Sequence, residues 1–303
     1  MNKVIAHAPA KINLVLDVEP LRANEEKHRL NSIFCTTTLC DTLTFGFESG
    51  SEPFNAQVTI ESVDYDTSFI KGHDNTLTKV VEQFKLSYGF GFLPAGTLTV
   101  ELIKSIPSQA GLGGGSSDAA AMLRMLCWLA QVEPLSEKSL AVAQAVGADV
   151  PFFLHAPKGG YCALMKGFGD ELAAELPKPK LHLTLIKPEY GVSTKNAFAI
   201  FDLESTPRTD STVTADLAES LKEGSSATEI AALCANNLEP AAIEILPQIG
   251  TLKKELSLLD GVLGAAMTGS GSALYAICES PVAAQACMQH FAKQGLWSVA
   301  CQT

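Results

Sequence analysis

Between Lys11 and Val18 the chain alternates. Ile12, Leu14, Leu16 and Val18 fall on one face of an extended segment, and Lys11, Asn13 and Asp17 on the other. The pattern predicts a half-buried strand, with Lys11 and Asn13 side by side about 6.6 Å apart along it. Further apolar runs predict strands over Leu30 to Cys40, Thr42 to Glu48, Ala56 to Ser62 and Thr97 to Ile103. At Asn75, a suitable N-cap, the period changes: Leu77, Val80, Val81 and Phe84 recur at helical spacing as far as Gly89. Helices are expected over Ser116 to Gln131 and Ser136 to Val146. Pro177-Lys-Pro179 marks a boundary. Beyond it the pattern predicts a strand over Leu181 to Lys187 and helices near Thr194 to Phe201, Ser211 to Lys222 and Leu238 to Leu259. Strands over Val262 to Met267 and Ala273 to Cys278, a helix over Pro281 to Gln294 and a short last strand follow. Strands and helices mix without strict βαβ alternation, which is the α+β class. A chain of 303 residues broken at this point predicts two domains, 1–177 and 178–303.

Composition narrows the partners. Apolar residues make up 47% of the chain, enough for a packed core. The net charge of −11 opposes a nucleic-acid or anionic-membrane surface, though not a small anionic ligand held by local positive groups. No nucleic-acid partner is therefore expected. Met1 to Ala10 lacks the apolar core of a secretory signal. The longest apolar stretch, Ala119 to Val132, is broken by Arg124 and reads as a buried helix rather than a membrane span. The eight cysteines are scattered with no Cys-x-x-Cys, and the histidines, His73 included, show no metal-ligand spacing. These features predict a cytoplasmic protein with no membrane partner, either a monomer or a weak homodimer.

The densest candidate chemistry lies in Pro107-Ser-Gln-Ala-Gly-Leu-Gly-Gly-Gly-Ser-Ser-Asp-Ala-Ala-Ala121. Gly111, Gly113, Gly114 and Gly115 stand between a strand and a helix that Ser116 and Ser117 open. Glycines let backbone N–H groups approach a ligand, and a helix start adds unpaired N–H groups and roughly +0.5 of a charge. Together they form an anion site suited to phosphate. No lysine follows Gly115, so the loop is not a Walker A; starting from Gly111 the sixth position is Ser116, so it is not a dinucleotide fingerprint. By residue type alone, Lys11 reads rather as a solvated strand residue and Asp149 as a helix N-cap or turn residue. His28 reads likewise as a surface histidine, and Gly269 to Ser272 as a hairpin turn.

In order along the chain, Pro9-Ala-Lys-Ile-Asn-Leu14, the Pro107 loop and Met267-Thr-Gly-Ser-Gly271 resemble the three motifs of the GHMP superfamily of small-molecule kinases. The triple glycine, Gly147-Ala-Asp-Val-Pro151, Val192-Ser-Thr194 with Ala197-Phe198, and Asn236-Asn-Leu-Glu-Pro240 are similar to one branch of it. That branch phosphorylates the 2-hydroxyl of a diphosphocytidyl-methylerythritol in isoprenoid precursor biosynthesis. The resemblance implies an N-terminal ribosomal-protein-S5-like ATP-binding domain and a C-terminal ferredoxin-like α/β domain, with the active site in the cleft between them. It implies ATP as phosphoryl donor, with Mg2+. It assigns Asp149 as base and Lys11 as the stabiliser of developing charge. Asn13, His28, Phe168 and Asn196 would bind the substrate. Pro107, Gly111, Leu112, Gly113, Gly114, Gly115, Ser116 and Ser117 would bind the phosphates. Gly269, Ser270 and Gly271 form the supporting turn, and Ser117 is a candidate metal ligand.

The chain departs from the branch at one place. The family carries Gly-Tyr-His shortly after an arginine, lining a cytosine pocket. Here Arg22 leads to Glu26-Lys27-His28, with one residue more and lysine in place of the tyrosine. Phe168, Tyr190, Phe198 or Phe201 must then supply the stacking face, or the substrate differs. Two other functions stay open at this point: a kinase of the superfamily for homoserine or a mevalonate derivative, and a non-catalytic ligand sensor on the same fold.

Overall fold

The structure is a computed structural model that describes residues 3–62, 75–156, 159–203 and 212–303. His73 and Ser211, the expected start of a helix, lie outside these residues. The chain packs as two compact units: one drawn from 1–10, 39–107 and 113–159, the other from 11–38, 108–112 and 160–303.

The first unit sets a sheet against helices. β1 (Val4–Val18) begins in it and β2 (Leu30–Ser49) ends in it. β3 (Asn55–Ser62) runs parallel to β4 (Gly96–Lys104), from Asn55 opposite Thr97 to Ser62 opposite Lys104. β4 pairs antiparallel with β2, from Thr42 opposite Ile103 to Ser49 opposite Gly96. α1 (Thr76–Tyr88), α2 (Gly114–Ala130), α3 (Glu137–Val146) and α4 (Val150–His155) pack on one another. Asn75 caps α1 as expected, its side chain accepting from the Thr78 N–H at 2.9 Å. Leu98, Val100 and Leu102 of β4 and Leu123 and Leu126 of α2 are buried.

The second unit holds two sets of strands. In one, Val15 and Leu16 of β1 pair parallel with β8 (Ala235–Asn236). There β2 pairs antiparallel with β5 (Cys162–Lys166), and β5 with β6 (Glu171–Leu176). In the other, β7 (His182–Lys187), β9 (Val262–Met267), β10 (Leu274–Cys278) and β11 (Trp297–Gln302) form an antiparallel sheet in the order β11-β7-β10-β9. α5 (Thr194–Leu203), α6 (Val213–Glu223), α7 (Ala227–Leu233), α8 (Glu239–Ile245), α9 (Gln248–Leu256) and α10 (Pro281–Ala292) complete it. Leu16 and Val18 join Ile186, Leu252, Leu274 and Phe291 in one core. No described helix is long and apolar enough to cross a membrane.

The expected elements differ in five respects. The segments 30–40 and 42–48 are one strand, because the Asp41 carboxylate is buried and accepts from the backbone N–H groups of Ser105 and Ile106. The helix expected over Leu238 to Leu259 is two, α8 and α9, parted at Leu246 and Pro247, since proline has no N–H for a continuing helix. α2 starts at Gly114, so Gly114 and Gly115 are its first residues and Gly113, with φ +72°, is its N-cap. β5, β6, α7 and the two-residue β8 carry no strong pattern of their own. β1 is also buried on both faces rather than half-buried: Lys11 is 3% exposed and Asn13 1%.

Candidate active site

Lys11 does not behave as a solvated strand residue. Its ammonium donates to Asn13 Oδ1 at 2.6 Å and stands 4.6 Å from the centre of the Phe34 ring. The alternation of β1 makes this pairing possible by placing residues 11 and 13 on one face. Asn13 is held from several sides. Its Oδ1 also accepts from Gly269 N at 2.9 Å, and its Nδ2 donates to Ser32 Oγ at 2.8 Å. Its backbone N–H donates to Thr268 Oγ1 at 3.1 Å, and its carbonyl accepts from the buried Tyr275 hydroxyl at 3.0 Å.

The first part of the glycine loop joins this cluster. The Lys11 N–H donates to the Leu112 carbonyl at 2.9 Å, and the Ala273 N–H to the Ala110 carbonyl at 3.2 Å. Gly111, at φ +73°, lies so close to Thr268 that a Cβ on it would sit 2.1 Å from the Thr268 carbonyl oxygen. The turn at Gly269, Ser270 and Gly271 therefore backs onto the loop. Ser270 Oγ is 2.7 Å from Thr194 Oγ1, and Asn236 Nδ2 donates to the carbonyls of both Met267 and Gly269 at 2.8 Å.

A second group in the same unit surrounds His28, which is 9% exposed. Nδ1 donates to the Glu19 carbonyl at 2.9 Å, and Nε2 faces Asp202 Oδ1 at 3.3 Å. The ring stacks on Phe198 and meets Phe201 edge-on. Lys27 is exposed. Phe168 is in the turn between β5 and β6, with the Arg29 guanidinium 5.6 Å from its ring centre. Asn196 is exposed on α5, two residues before Phe198.

In the first unit, Pro107 is buried and the glycine run ends in α2, whose first turn carries Gly114, Gly115, Ser116 and Ser117. Gly115 is exposed, leaving its backbone accessible at a helix start. Ser117 Oγ is buried with no hydrogen-bond partner among the described residues. Asp149 occupies the N-cap position of α4, yet its side chain makes no capping bond. It stands in the turn that leads into α4, as residue type alone favours, but its carboxylate does not cap the helix.

Beneath the start of α2 lies a buried ion triad that spacing does not reveal. Lys104 donates to Asp41 and, at 2.7 Å, to Asp118 Oδ2. One ammonium faces two carboxylates. Asp41 has two backbone donors besides; Asp118 Oδ1 has no partner among the described residues. Burial accordingly pushes the Asp118 carboxyl up to about 7, against the pull of Lys104. Burial lowers the Lys104 ammonium, but Asp118 and Asp41 outweigh it and the net shift is upward. Thr268, Ser32, Tyr275, Asn236 and this triad are what sequence reasoning missed; Thr268 and Asn236 stand inside the quoted motifs, but only their packing gives them a task.

The N-terminal domain model of the GHMP kinases matches residues 75–156, and the C-terminal model matches residues 217–295. A curated relative from Desulfitobacterium hafniense, named 4-diphosphocytidyl-2-C-methyl-D-erythritol kinase, is 35% identical over 92% of this chain and 88% of its own length. A crystal structure of 4-(cytidine 5'-diphospho)-2C-methyl-D-erythritol kinase superposes with a TM-score of 0.75 at 27% identity, covering 99% of this chain and 98% of the other. A homoserine kinase from Cytophaga hutchinsonii shares the fold, with a TM-score of 0.70 at 20% identity over 100% of this chain and 95% of its own.

Proposed function

This chain belongs to the GHMP kinases, in the branch of the 4-diphosphocytidyl-2-C-methyl-D-erythritol kinases, and from that membership we propose that it transfers the γ-phosphoryl group of ATP to the 2-hydroxyl of 4-diphosphocytidyl-2-C-methyl-D-erythritol. The observation that carries the proposal beyond membership is the buried Lys11 ammonium, 2.6 Å from Asn13 Oδ1 and held in a network that includes the glycine turn. An ammonium held out of water in this way acts on a reacting phosphoryl group more strongly than a solvated one would.

In this reading the substrate hydroxyl attacks the γ-phosphorus as the bond to the bridging oxygen of ADP breaks. Asp149 accepts the hydroxyl proton as the new P–O bond forms, which suits a carboxylate that is a weak base towards an alcohol. Lys11 offsets the negative charge that develops on the transferring group. The N–H groups from Gly111 to Ser117 hold the phosphates. Ser117 Oγ, buried and without a hydrogen-bond partner among the described residues, is an oxygen that would suit Mg2+. When bound, the ion would neutralise phosphate charge.

On the acceptor side, the backbone around Phe168 reads the cytosine edge together with His28, whose Nε2 would exchange Asp202 for the base, and Phe198 supplies the aromatic face absent at Lys27. Its position against His28 supports this assignment, and the relatives named above favour the cytidylyl substrate over homoserine or mevalonate. Asn196 lies near enough in sequence to contribute. Asn13, whose side chain already serves Lys11 and Ser32, acts on the substrate chiefly through Lys11. The reading takes 1–177 and 178–303 as its two domains along the sequence, although the compact units interleave; with it go a cytoplasmic location and a monomer or weak homodimer, the last tested by gel filtration.

The deciding experiment is ADP release with magnesium-ATP and four acceptors: the cytidylyl-methylerythritol substrate, methylerythritol phosphate without cytidine, homoserine and mevalonate. Turnover with the first alone is expected. Turnover with homoserine or mevalonate, or with none, would overturn the substrate assignment.

A further inference from the structure

Thr268 Oγ1 has three polar atoms within reach, two of Asn13 and one of the glycine loop. It accepts from the Asn13 N–H at 3.1 Å and stands 3.1 Å from Asn13 Oδ1 and 3.2 Å from the Gly111 carbonyl. A hydroxyl has one proton to give. Asn13 Oδ1 offers two lone pairs, and the Lys11 ammonium and Gly269 N–H already fill them. The Thr268 proton therefore falls to Gly111. The hydroxyl then accepts from β1 and donates to the glycine loop.

Thr268 is itself held firmly. It is fully buried, its N–H donates to the Ala273 carbonyl at 3.1 Å, and its carbonyl accepts from Gly271 N at 3.0 Å. Asn236 clamps the carbonyls on either side of it. Its branched side chain has few rotamers in such a setting. Asn13, by contrast, carries the Lys11 ammonium on a side chain free to turn about two bonds unless something pins it. Gly269 N pins Oδ1, and Thr268 pins the backbone from which that side chain leaves.

We propose that Thr268 is a positioning residue for Lys11, holding Asn13 so that the ammonium stays where the transferring phosphoryl group needs it. The inference rests on the kinase reading above. Thr268 touches no reactant; it acts through Asn13. Its contact to Gly111 belongs to the ATP side and reads out in KM for ATP, whereas the contact to Asn13 reads out in kcat.

The test is a double-mutant cycle on the full chain, with Thr268→Val, Thr268→Ser, Lys11→Ala and Lys11→Ala combined with Thr268→Val. Valine keeps the shape and loses the hydroxyl; serine keeps the hydroxyl. Thr268→Val should lower kcat by about ten- to a hundredfold, the scale of a small misplacement of a catalytic group. Thr268→Ser should return kcat to within about threefold of wild type. In the Lys11→Ala background Thr268→Val should change kcat by less than about twofold, since there is no ammonium left to position. An equal factor in both backgrounds would show a general structural role and overturn the inference. So would a serine variant as impaired as the valine one, or a valine variant with unaltered kcat. A wild-type chain that transfers no phosphate overturns the kinase reading, and this inference with it; an active wild type with additive variants overturns this inference alone.

Discussion

His28 lies stacked on Phe198, the ring centroids 4.9 Å apart and the planes 22° from parallel. The two come from a polar loop and from α5; the sequence offers Phe198 as one of four candidate faces, and packing sets it on His28. If Phe198 is the face on which cytosine stacks, Phe198→Ala should raise KM for the cytidylyl substrate by roughly 5- to 150-fold, from about 1–3 kcal/mol of stacking per base. KM for ATP should change less than about twofold. Steady-state kinetics with each substrate varied in turn would decide; an equal rise in both constants would remove Phe198 from the acceptor site.

Asp149 stands at the N-cap of α4 without capping it, and asparagine keeps its shape while removing the charge. Asp149→Asn should leave the melting temperature and ATP affinity near wild type and cut kcat by about 10²–10⁴-fold, the usual range for a general base. Calorimetry with a non-hydrolysable ATP analogue, beside single-turnover assays, measures both sides. Near-normal turnover would end the base assignment.

The Asp118 carboxyl, raised by burial to about 7, makes a stability prediction with a definite sign. Its folded value lies above the unfolded one, about 3.9, so between those values the folded chain holds a proton that the unfolded chain has lost. Stability from this group is therefore present at low pH and declines as pH rises from about 4 to about 7, levelling off above. Asp118→Asn removes that slope. The urea midpoint of the variant, relative to wild type, should climb from pH 5 to pH 8; a difference that is flat, or that falls, would contradict the assignment. Lys104→Met, which leaves the buried Asp41 and Asp118 without their cation, should be more damaging, by about 3–5 kcal/mol at neutral pH.

Gly111 and Gly115 should respond in opposite ways to a single methyl group. A Cβ at Gly111 meets the Thr268 carbonyl at 2.1 Å and must also accept φ +73°; at Gly115 the nearest atom, Thr76 Oγ1, is 3.4 Å away. Gly111→Ala should destabilise the chain by several kcal/mol, a backbone clash added to about 1–2 kcal/mol for the left-handed conformation. Gly115→Ala, in an exposed first turn, should keep the melting temperature and raise KM for ATP. Thermal melts and ATP titrations separate the two. A stable Gly111→Ala chain would contradict the packing of the loop on the turn.

Sequence alone determined a good deal. The alternation from Lys11 to Val18, the cap at Asn75, the strand–glycine–helix order around Gly111 to Ser117 and the three ordered motifs are local features. Each follows from the spacing of neighbouring residues and so survives without tertiary structure. Family, fold class and kind of reaction were legible from them.

What the tertiary structure decided is which side chains leave water and whom they meet. Nothing in the spacing says that Lys11 is buried, since a lysine on a polar strand face is ordinarily solvated; packing around β1 covers that face. Asp41 and Asp118 look like solvated carboxylates until Lys104 is folded in between them. Thr268 reads as one more turn residue until it stands between Asn13 and Gly111. Contacts of this kind join residues far apart in the chain. Their free energy exists only once the chain has excluded water from both partners, so no local pattern carries it.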